Sequence, residues 1–169
     1  MLVVITGERG CGKTTLCQAL AVAARGAGWD VAGVLSPARV VDGRKVAFDG
    51  VDLRRGKRRQ LAQRTAKDAP GELGWEFDVS AMAWANEVLG AAVPCDLLIV
   101  DELGPLEFEQ GQGWMAGLEA VASGKYRHAV VVVRTELLEA AQATWPQARV
   151  LDAGHGKSLQ DLLCLLGLG

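Results

Sequence analysis

A glycine-rich turn between an apolar run and an amphipathic segment is the feature of this sequence that most constrains its fold. Residues 7–14 read GERGCGKT and match G-x-x-x-x-G-K-[ST] at every fixed position. Glycines allow backbone dihedral angles that a side chain would forbid, so the N–H groups of the turn can point inward around an anion. A strand-like run at residues 2–5 precedes the turn, and apolar residues at helical spacing follow it. The stretch therefore predicts a phosphate-binding loop between a strand and a helix.

The residues of this loop have distinct expected roles. We expect Lys13 to neutralise the β- and γ-phosphates of a nucleotide and the Thr14 hydroxyl to bind Mg²⁺. A helix beginning near Lys13 adds its positive N-terminal end to the same anion site. The predicted nucleotide-binding residues are Gly7, Glu8, Arg9, Gly10, Cys11, Gly12, Lys13, Thr14 and Thr15. The alternative, a chance match in a chain with 21 glycines, is disfavoured by the strand and helix patterns on either side.

The composition fits one globular domain, predicted to span residues 1–169. Half of the residues are hydrophobic, 22% are charged and the net charge is −2. No apolar run approaches the roughly 20 residues of a membrane-spanning helix, and the first residues lead into a strand pattern without a signal peptide. We therefore expect a cytoplasmic protein with no membrane partner. We also expect a monomer, although the sequence does not show the oligomeric state. Four scattered cysteines without a Cys-x-x-Cys pair disfavour a zinc site or a disulfide framework.

Strand-like and helix-like segments alternate along the chain. Near-continuous apolar runs at residues 2–5, 97–100 and 129–133 suit a parallel sheet that is covered on both faces. Helical patterns at residues 13–25 and 114–122 separate these runs. The alternation predicts an α/β domain.

Residues 37–79 indicate an insertion within the same domain. Residues 40–48 predict a β-hairpin, because two β-prone runs flank an Asp-Gly pair. Ten Lys or Arg against three Asp lie in residues 39–67, whereas residues 68–124 hold eleven Asp or Glu and no Lys or Arg. Such asymmetry can mark a polyanion-binding face. A solvated hairpin or a role near the nucleotide explains it more simply, and we predict no tight nucleic-acid binding.

Two residues near the end of this insertion carry local predictions. Trp75 lies in a short extended piece at residues 73–77 and could stack on a nucleobase, although packing in the core is the simpler interpretation. Ser80 is the predicted N-cap of a helix at residues 81–89.

An acidic strand end supplies the second half of the predicted site. Four apolar residues at 97–100 are followed by Asp101 and Glu102, and open α/β sheets bind ligands at the carboxyl ends of their strands. We expect Asp101 to hold the Mg²⁺ shell, directly or through water, and Glu102 to orient or deprotonate the attacking water. Acids are also common at solvent-facing strand ends, so the assignment depends on the phosphate loop upstream. If Glu102 is not the base, Glu107 is the next acid to consider.

A cation follows the apolar run at residues 129–133. Arg134 could reach the γ-phosphate and offset developing charge, and an ordinary strand-end arginine fits the sequence equally well. We assign it to the catalytic group together with Lys13 and Glu102. Further candidates for the same role are Arg9, Arg44 and Lys157.

These residues resemble a small P-loop family, the nucleoside triphosphatases that include the human cancer-related nucleoside-triphosphatase and its thermophile homologues. The resemblance rests on residues 7–15, on residues 33–37 with the hairpin at 42–44, and on residues 101–107, whose Asp-Glu-x-Gly-x-x-Glu pattern is its most specific part. It implies a three-layer, RecA-like α/β fold with a mainly parallel central sheet and a β-hairpin insertion. The chain departs from the family at residues 154–158, where an Asn-Arg-Asp-like stretch near the base is expected.

The sequence thus predicts an Mg²⁺-dependent nucleoside triphosphatase that hydrolyses ATP, GTP and other nucleoside triphosphates. Two alternatives stay open. A nucleotide or small-molecule kinase would use the same loop with an acceptor pocket and a lid. A non-enzymatic nucleotide-binding regulator or cofactor-delivery partner would bind without turnover, which the presence of Glu102 disfavours. Since no Asn-Lys-x-Asp guanine signature occurs, we expect ATP and GTP to be hydrolysed at rates within about tenfold of each other.

Overall fold

The computed structural model describes residues 1–66, 73–154 and 159–168. Within these residues one sheet of nine strands is flanked by six α-helices. The strands are β1 (Leu2–Thr6), β2 (Val31–Leu35), β3 (Ala38–Val41), β4 (Arg44–Asp52), β5 (Arg58–Ala66), β6 (Leu73–Phe77), β7 (Cys95–Leu103), β8 (Tyr126–Val133) and β9 (Arg149–Asp152). The helices are α1 (Lys13–Gly26), α2 (Val79–Gly90), α3 (Pro105–Phe108), α4 (Met115–Ala122), α5 (Leu138–Thr144) and α6 (Leu159–Leu166), with a 3₁₀ turn (Thr135–Leu137) before α5.

Five strands form the parallel centre of the sheet in the order β2-β7-β8-β1-β9. Strand β8 therefore lies between β1, which leads into the glycine-rich loop, and β7, which carries Asp101 and Glu102. The carboxyl ends of these strands share one edge of the sheet, where Arg134 also follows β8. The predicted α/β class with a mainly parallel central sheet is confirmed.

Side chains of the parallel strands alternate between two apolar layers. Val4 and Leu98 pack in the layer that includes α2, α4 and α5, whereas Val3 and Ile99 pack in the layer that includes α1 and α6. Because both faces are covered, every residue of β1 is buried. Burial on both sides explains why these strands are continuous apolar runs in the sequence.

The remaining strands, β3 to β6, form an antiparallel extension of the sheet beside β2. The predicted hairpin is confirmed between β3 and β4, with Asp42 (φ 48°) and Gly43 (φ 73°) both in the left-handed region that its tight turn requires. Val51 of β4 lies opposite Leu35 of β2 in an antiparallel pair. The part of β4 before Val51 therefore projects beyond the carboxyl end of β2, toward the edge that carries the glycine-rich loop.

The predicted N-cap of α2 is wrong by two residues. The carboxylate of Asp78 accepts a hydrogen bond from Ala81 N at 2.9 Å, so α2 begins at Val79 and Ser80 lies inside its first turn. Asp and Ser are both favoured caps, and local sequence does not separate two candidates so close together. In the described part of the chain, no helix has the length and apolar character needed to cross a membrane.

Candidate active site

The glycine-rich loop connects β1 to α1, as the motif predicts. Gly7, Gly10 and Gly12 all have positive φ values, of 136°, 83° and 97°. At Gly7 a side chain is also excluded by contact, because a Cβ would lie 2.9 Å from Cys11 Sγ and 3.3 Å from the backbone nitrogen of Gly154. Gly12 is the N-cap of α1. The glycines therefore set the backbone path that turns the loop into the N-terminus of the helix.

Lys13 folds back over this loop. Its Nζ donates to the carbonyl oxygens of Gly7 at 2.6 Å and of Glu8 at 3.0 Å, and the residue is only 7% exposed. An ammonium group has three donors, so two bonds to the loop fix its position and leave a third donor for a phosphate oxygen.

Asp101 is buried at the carboxyl end of β7 beside Thr14. The residue is 1% exposed, and its Oδ2 accepts from Ser36 N at 3.2 Å. Burial raises the pKa of Asp101 to about 6, and the hydrogen bond from Ser36, the nearby Thr14 side chain and the charge of Lys13 limit the rise. A buried carboxylate of this kind favours a cationic partner.

The donor set at this position fits Mg²⁺. A hydroxyl and a carboxylate are hard oxygen ligands, and Mg²⁺ in nucleotide sites is held by one or two such groups together with phosphates and water. Within residues 1–66, 73–154 and 159–168, no group of three or more His, Cys, Asp or Glu could hold a metal by itself. Thr14 and Asp101 would thus supply the protein part of a shell that the substrate completes.

Glu102 and Arg134, both predicted as catalytic, lie next to each other. Arg134 Nε donates to Glu102 Oε1 at 2.5 Å, and the two side chains are 33% and 27% exposed. The peptide bond between Asp101 and Glu102 is cis. The surroundings of the two adjacent acids differ. Asp101 is buried beside Thr14, whereas Glu102 is partly open to solvent and paired with a guanidinium.

The structure contradicts the prediction that Glu107 could act on the attacking water in place of Glu102. Its Oε2 accepts from Gly104 N and its Oε1 from Trp114 N, both at 2.7 Å, and the residue is 7% exposed. At Gly113 (φ 72°) a Cβ would lie 2.0 Å from Glu107 Oε1. The carboxylate therefore ties together the two ends of the segment that carries α3. The signal was present in the sequence, since Glu107 follows Pro105 at the capping-box position of a short helix.

Two of the other predicted cations, Arg9 and Arg44, lie apart from each other on the surface. Arg9 is exposed in the glycine-rich loop, and Arg44 is exposed at the start of β4 in the hairpin. Lys157 lies outside the described residues, as does most of the departure from the family at residues 154–158. Sequence reasoning missed the contact of Ser36 with Asp101, because a backbone N–H leaves no side-chain signal.

A family model and the sequences of known proteins both relate this chain to nucleoside triphosphatases. A family model described as NTPase matches residues 2–146. The protein named nucleoside-triphosphatase THEP1 from Methanopyrus kandleri is 36% identical over 108 residues, which are 63% of this chain and 59% of that protein. The protein of the same name from Thermococcus kodakarensis is 31% identical over 136 residues, 75% of this chain and 73% of that protein. The chain thus matches less than two thirds of the length of the Methanopyrus relative.

Two solved structures share the fold. The solution structure of a human cancer-related nucleoside triphosphatase has a TM-score of 0.72 at 21% identity and covers 97% of this chain and 96% of its own. The crystal structure of THEP1 from Aquifex aeolicus has a TM-score of 0.65 at 21% identity and covers 98% and 99%. Together with the strand order, these similarities confirm the predicted P-loop fold.

Proposed function

Since this chain belongs to the NTPase family, we propose that it is an Mg²⁺-dependent nucleoside triphosphatase that hydrolyses ATP, GTP and other nucleoside triphosphates. The observation that carries this proposal is the meeting of three groups at one sheet edge. They are the buried ammonium of Lys13, the neighbouring side chains of Thr14 and Asp101, and the partly exposed carboxylate of Glu102. The related proteins bear the name nucleoside-triphosphatase.

The glycine-rich loop would bind the phosphate groups of the nucleotide. Backbone N–H groups of the loop, the N-terminus of α1 and the third donor of Lys13 would hold the β- and γ-phosphates. Thr14 and Asp101 would hold Mg²⁺, which when bound neutralises charge on these phosphates. Because Lys13 and Asp101 are almost fully buried, their interactions with the nucleotide are less screened by solvent than those of surface charges.

Glu102 would act on the attacking water. Its carboxylate can accept a proton or orient the water for in-line attack on the γ-phosphate. A guanidinium has five donors, so Arg134 can hold Glu102 through Nε and present its terminal N–H groups to the charge that develops on the phosphate. The enzyme would supply positioning and electrostatic stabilisation, with no covalent intermediate.

A steady-state phosphate-release assay tests the proposal. The four common nucleoside triphosphates are compared with and without Mg²⁺, and Lys13→Ala serves as the control for contaminating activity. We expect Mg²⁺-dependent release of phosphate, with ATP and GTP within about tenfold of each other. Release no faster than from Lys13→Ala would contradict the proposal. A phosphorylated acceptor in place of free phosphate would favour the kinase alternative.

A further inference from the structure

The antiparallel extension has two faces that differ in chemistry. Val51 of β4 packs in the layer of α1 and α6, and alternation along the strand places Asp49 on the same face. Residues directly opposite each other in a strand pair share a face, so Arg58 lies there opposite Val51. Gln60 lies there opposite Asp49. We call this surface the α1-side face; it carries Arg39, Asp49, Arg58, Gln60, Gln63 and Glu76.

A β-bulge separates this polar face from an aromatic one. Strand β5 has one extra residue, Leu61, between the positions that lie opposite Phe48 and Asp49 of β4. Leu61 packs in the layer of α2, and Phe48 on that side meets Trp75 with ring centroids 4.5 Å apart. Trp75 therefore packs against another ring, on the side of the sheet away from the polar residues.

Two arginines on the α1-side face share one buried carboxylate. Arg58 Nη1 donates to Asp49 Oδ2 at 3.2 Å, and Arg39 Nε lies 3.3 Å from Asp49 Oδ1. The Asp49 side chain is 6% exposed, whereas those of Arg39 and Arg58 are 49% and 58% exposed. Two guanidinium groups around one carboxylate leave one positive charge in excess. Because each guanidinium has five donors, both arginines have donors directed away from Asp49.

A chain of hydrogen bonds holds Arg39 from its other side. Arg39 Nη2 donates to Gln60 Oε1, and Gln60 Nε2 donates to Gln63 Oε1 at 3.2 Å. Gln63 Nε2 in turn donates to Glu76 Oε2 at 3.1 Å. The chain runs from a cation to a carboxylate, which orients both amides. Since Asp49 and this network fix the Arg39 guanidinium in advance, a ligand would lose little affinity to ordering it.

The arginine pair stands beside the phosphate loop. Asp49 N donates to Pro37 O at 3.0 Å, and Ser36 N donates to Asp101. One short stretch of backbone thus connects the arginine pair to the acid of the metal site. Helix α1, which begins where the phosphate loop ends, packs on the same face of the sheet. The arginines therefore share both the edge and the face of the sheet with the loop.

We propose that Arg39 and Arg58 bind the phosphate group of a second, small ligand beside the phosphate loop. Guanidinium forks match the geometry of phosphate oxygens, and the excess positive charge is concentrated at this pair. Glu76, at the far end of the network, would repel a further phosphate, so the face suits one phosphate group better than a nucleic-acid strand. That group belongs to a phosphate monoester or is free phosphate. The proposal concerns binding alone, so it does not depend on whether the loop hydrolyses its nucleotide.

Side-chain NMR on the full chain tests the proposal. The loop is first saturated with Mg²⁺ and AMP-PNP, a hydrolysis-resistant ATP analogue, so that added phosphate cannot occupy it. Inorganic phosphate and glycerol 3-phosphate are then titrated separately at constant ionic strength, and the Nε–H signals of Arg39 and Arg58 are followed. We expect both signals to shift along one saturable curve. Tighter binding of glycerol 3-phosphate would assign the site to a monoester, and equal or tighter binding of inorganic phosphate would assign it to free phosphate.

Two variants and a matched control separate the arginine pair from net charge. Arg58→Gln should weaken phosphate binding roughly tenfold or more, as loss of a charge-assisted hydrogen bond predicts. Arg39→Gln should do the same, and in each variant Asp49 keeps one arginine as its partner. Arg59→Gln is the control, because it removes an equal charge one residue away on the opposite face, where the Arg59 guanidinium lies 5.2 Å from the Trp84 ring. It should bind phosphate as tightly as the wild type.

Three results would overturn the proposal. The first is that neither phosphate compound moves the signals of Arg39 and Arg58. The second is equal weakening by Arg58→Gln and Arg59→Gln. The third is that the two signals respond only to Mg²⁺ and AMP-PNP, since the arginines would then serve the nucleotide in the loop. Saturable phosphate binding by a chain that releases no phosphate from nucleoside triphosphates would contradict only the proposed hydrolysis.

Discussion

Arg134 and Glu102 extend from adjacent parallel strands and share a hydrogen bond of 2.5 Å between Nε and Oε1. The bond fixes the direction of the carboxylate that we assign to the attacking water. Because Arg134 is proposed to hold Glu102 as well as to face the phosphate, its removal should cost more activity while Glu102 is present. We predict that Arg134→Ala lowers kcat by roughly 10- to 100-fold in the wild-type background and by a several-fold smaller factor in Glu102→Gln.

One result of this double-mutant cycle would contradict the coupling between Arg134 and Glu102. Effects of Arg134→Ala that are the same in both backgrounds would mean that the guanidinium acts on the phosphate by itself. Arg134→Lys separates charge from geometry, because a lysine keeps the charge but lacks the planar fork that bonds Glu102. We expect Arg134→Lys to recover little of the lost rate.

Loss of the Lys13 ammonium should weaken nucleotide binding. Lys13 is the buried cation of the loop, and its two bonds to loop carbonyls hold it in position. We predict that Lys13→Ala weakens binding of the Mg²⁺-nucleotide by roughly 10- to 100-fold, as expected for a charge-assisted hydrogen bond. Calorimetric titration measures this, with Lys125→Ala, an exposed lysine just before β8 and at the opposite edge of the sheet, as a control for simple loss of charge. Affinity equal to wild type would refute the loop assignment.

Glu107→Gln should affect stability. The amide that replaces one carboxylate oxygen would face a backbone N–H, at either Gly104 or Trp114, with a donor in place of an acceptor. We predict a loss of about 1–3 kcal/mol in the free energy of unfolding, measured by urea denaturation. Glu109→Gln changes an exposed acid two residues away and should cost much less. Equal losses in the two variants would show that the buried carboxylate does not tie the segment together.

His128 should make stability depend on pH. Its ring stacks on Trp29 with centroids 5.2 Å apart, and burial, the N-terminal amine and Arg127 lower its pKa from the usual 6.5. The unfolded chain therefore takes up a proton first as the pH falls through about 6.5, so this group favours folding above that pH and less below it. We predict that His128→Phe, which retains a stacking ring, reduces the loss of unfolding free energy between pH 7.5 and 5.5. Identical pH profiles would contradict this.

The elements that the sequence predicted well are those with local signals. The glycine pattern located the β1–α1 loop, and the Asp-Gly pair at residues 42–43 located the hairpin. Contacts between residues on different strands could not be predicted from these local signals. The contact of Arg134 with Glu102 forms only because β7 and β8 are neighbours. Likewise, Arg39 and Arg58 both pair with Asp49 only because β3, β4 and β5 lie side by side. Sequence patterns rank strands by apolar content but do not give their order in a sheet.

The central claim is that Glu102 serves the attacking water while the adjacent Asp101 serves the metal. Asp101→Asn is the matched comparison, and it should weaken both Mg²⁺-dependent binding and turnover, because the buried carboxylate beside Thr14 contributes to the ground state. Glu102→Gln keeps the shape of the side chain but removes its basicity. The most direct measurement is the affinity of Glu102→Gln for the Mg²⁺-nucleotide together with its steady-state rate of phosphate release. We predict an affinity near that of the wild type and a rate lower by roughly 10²–10⁴-fold, or about 3–5 kcal/mol lost from the transition state alone; phosphate release at the wild-type rate would contradict the account.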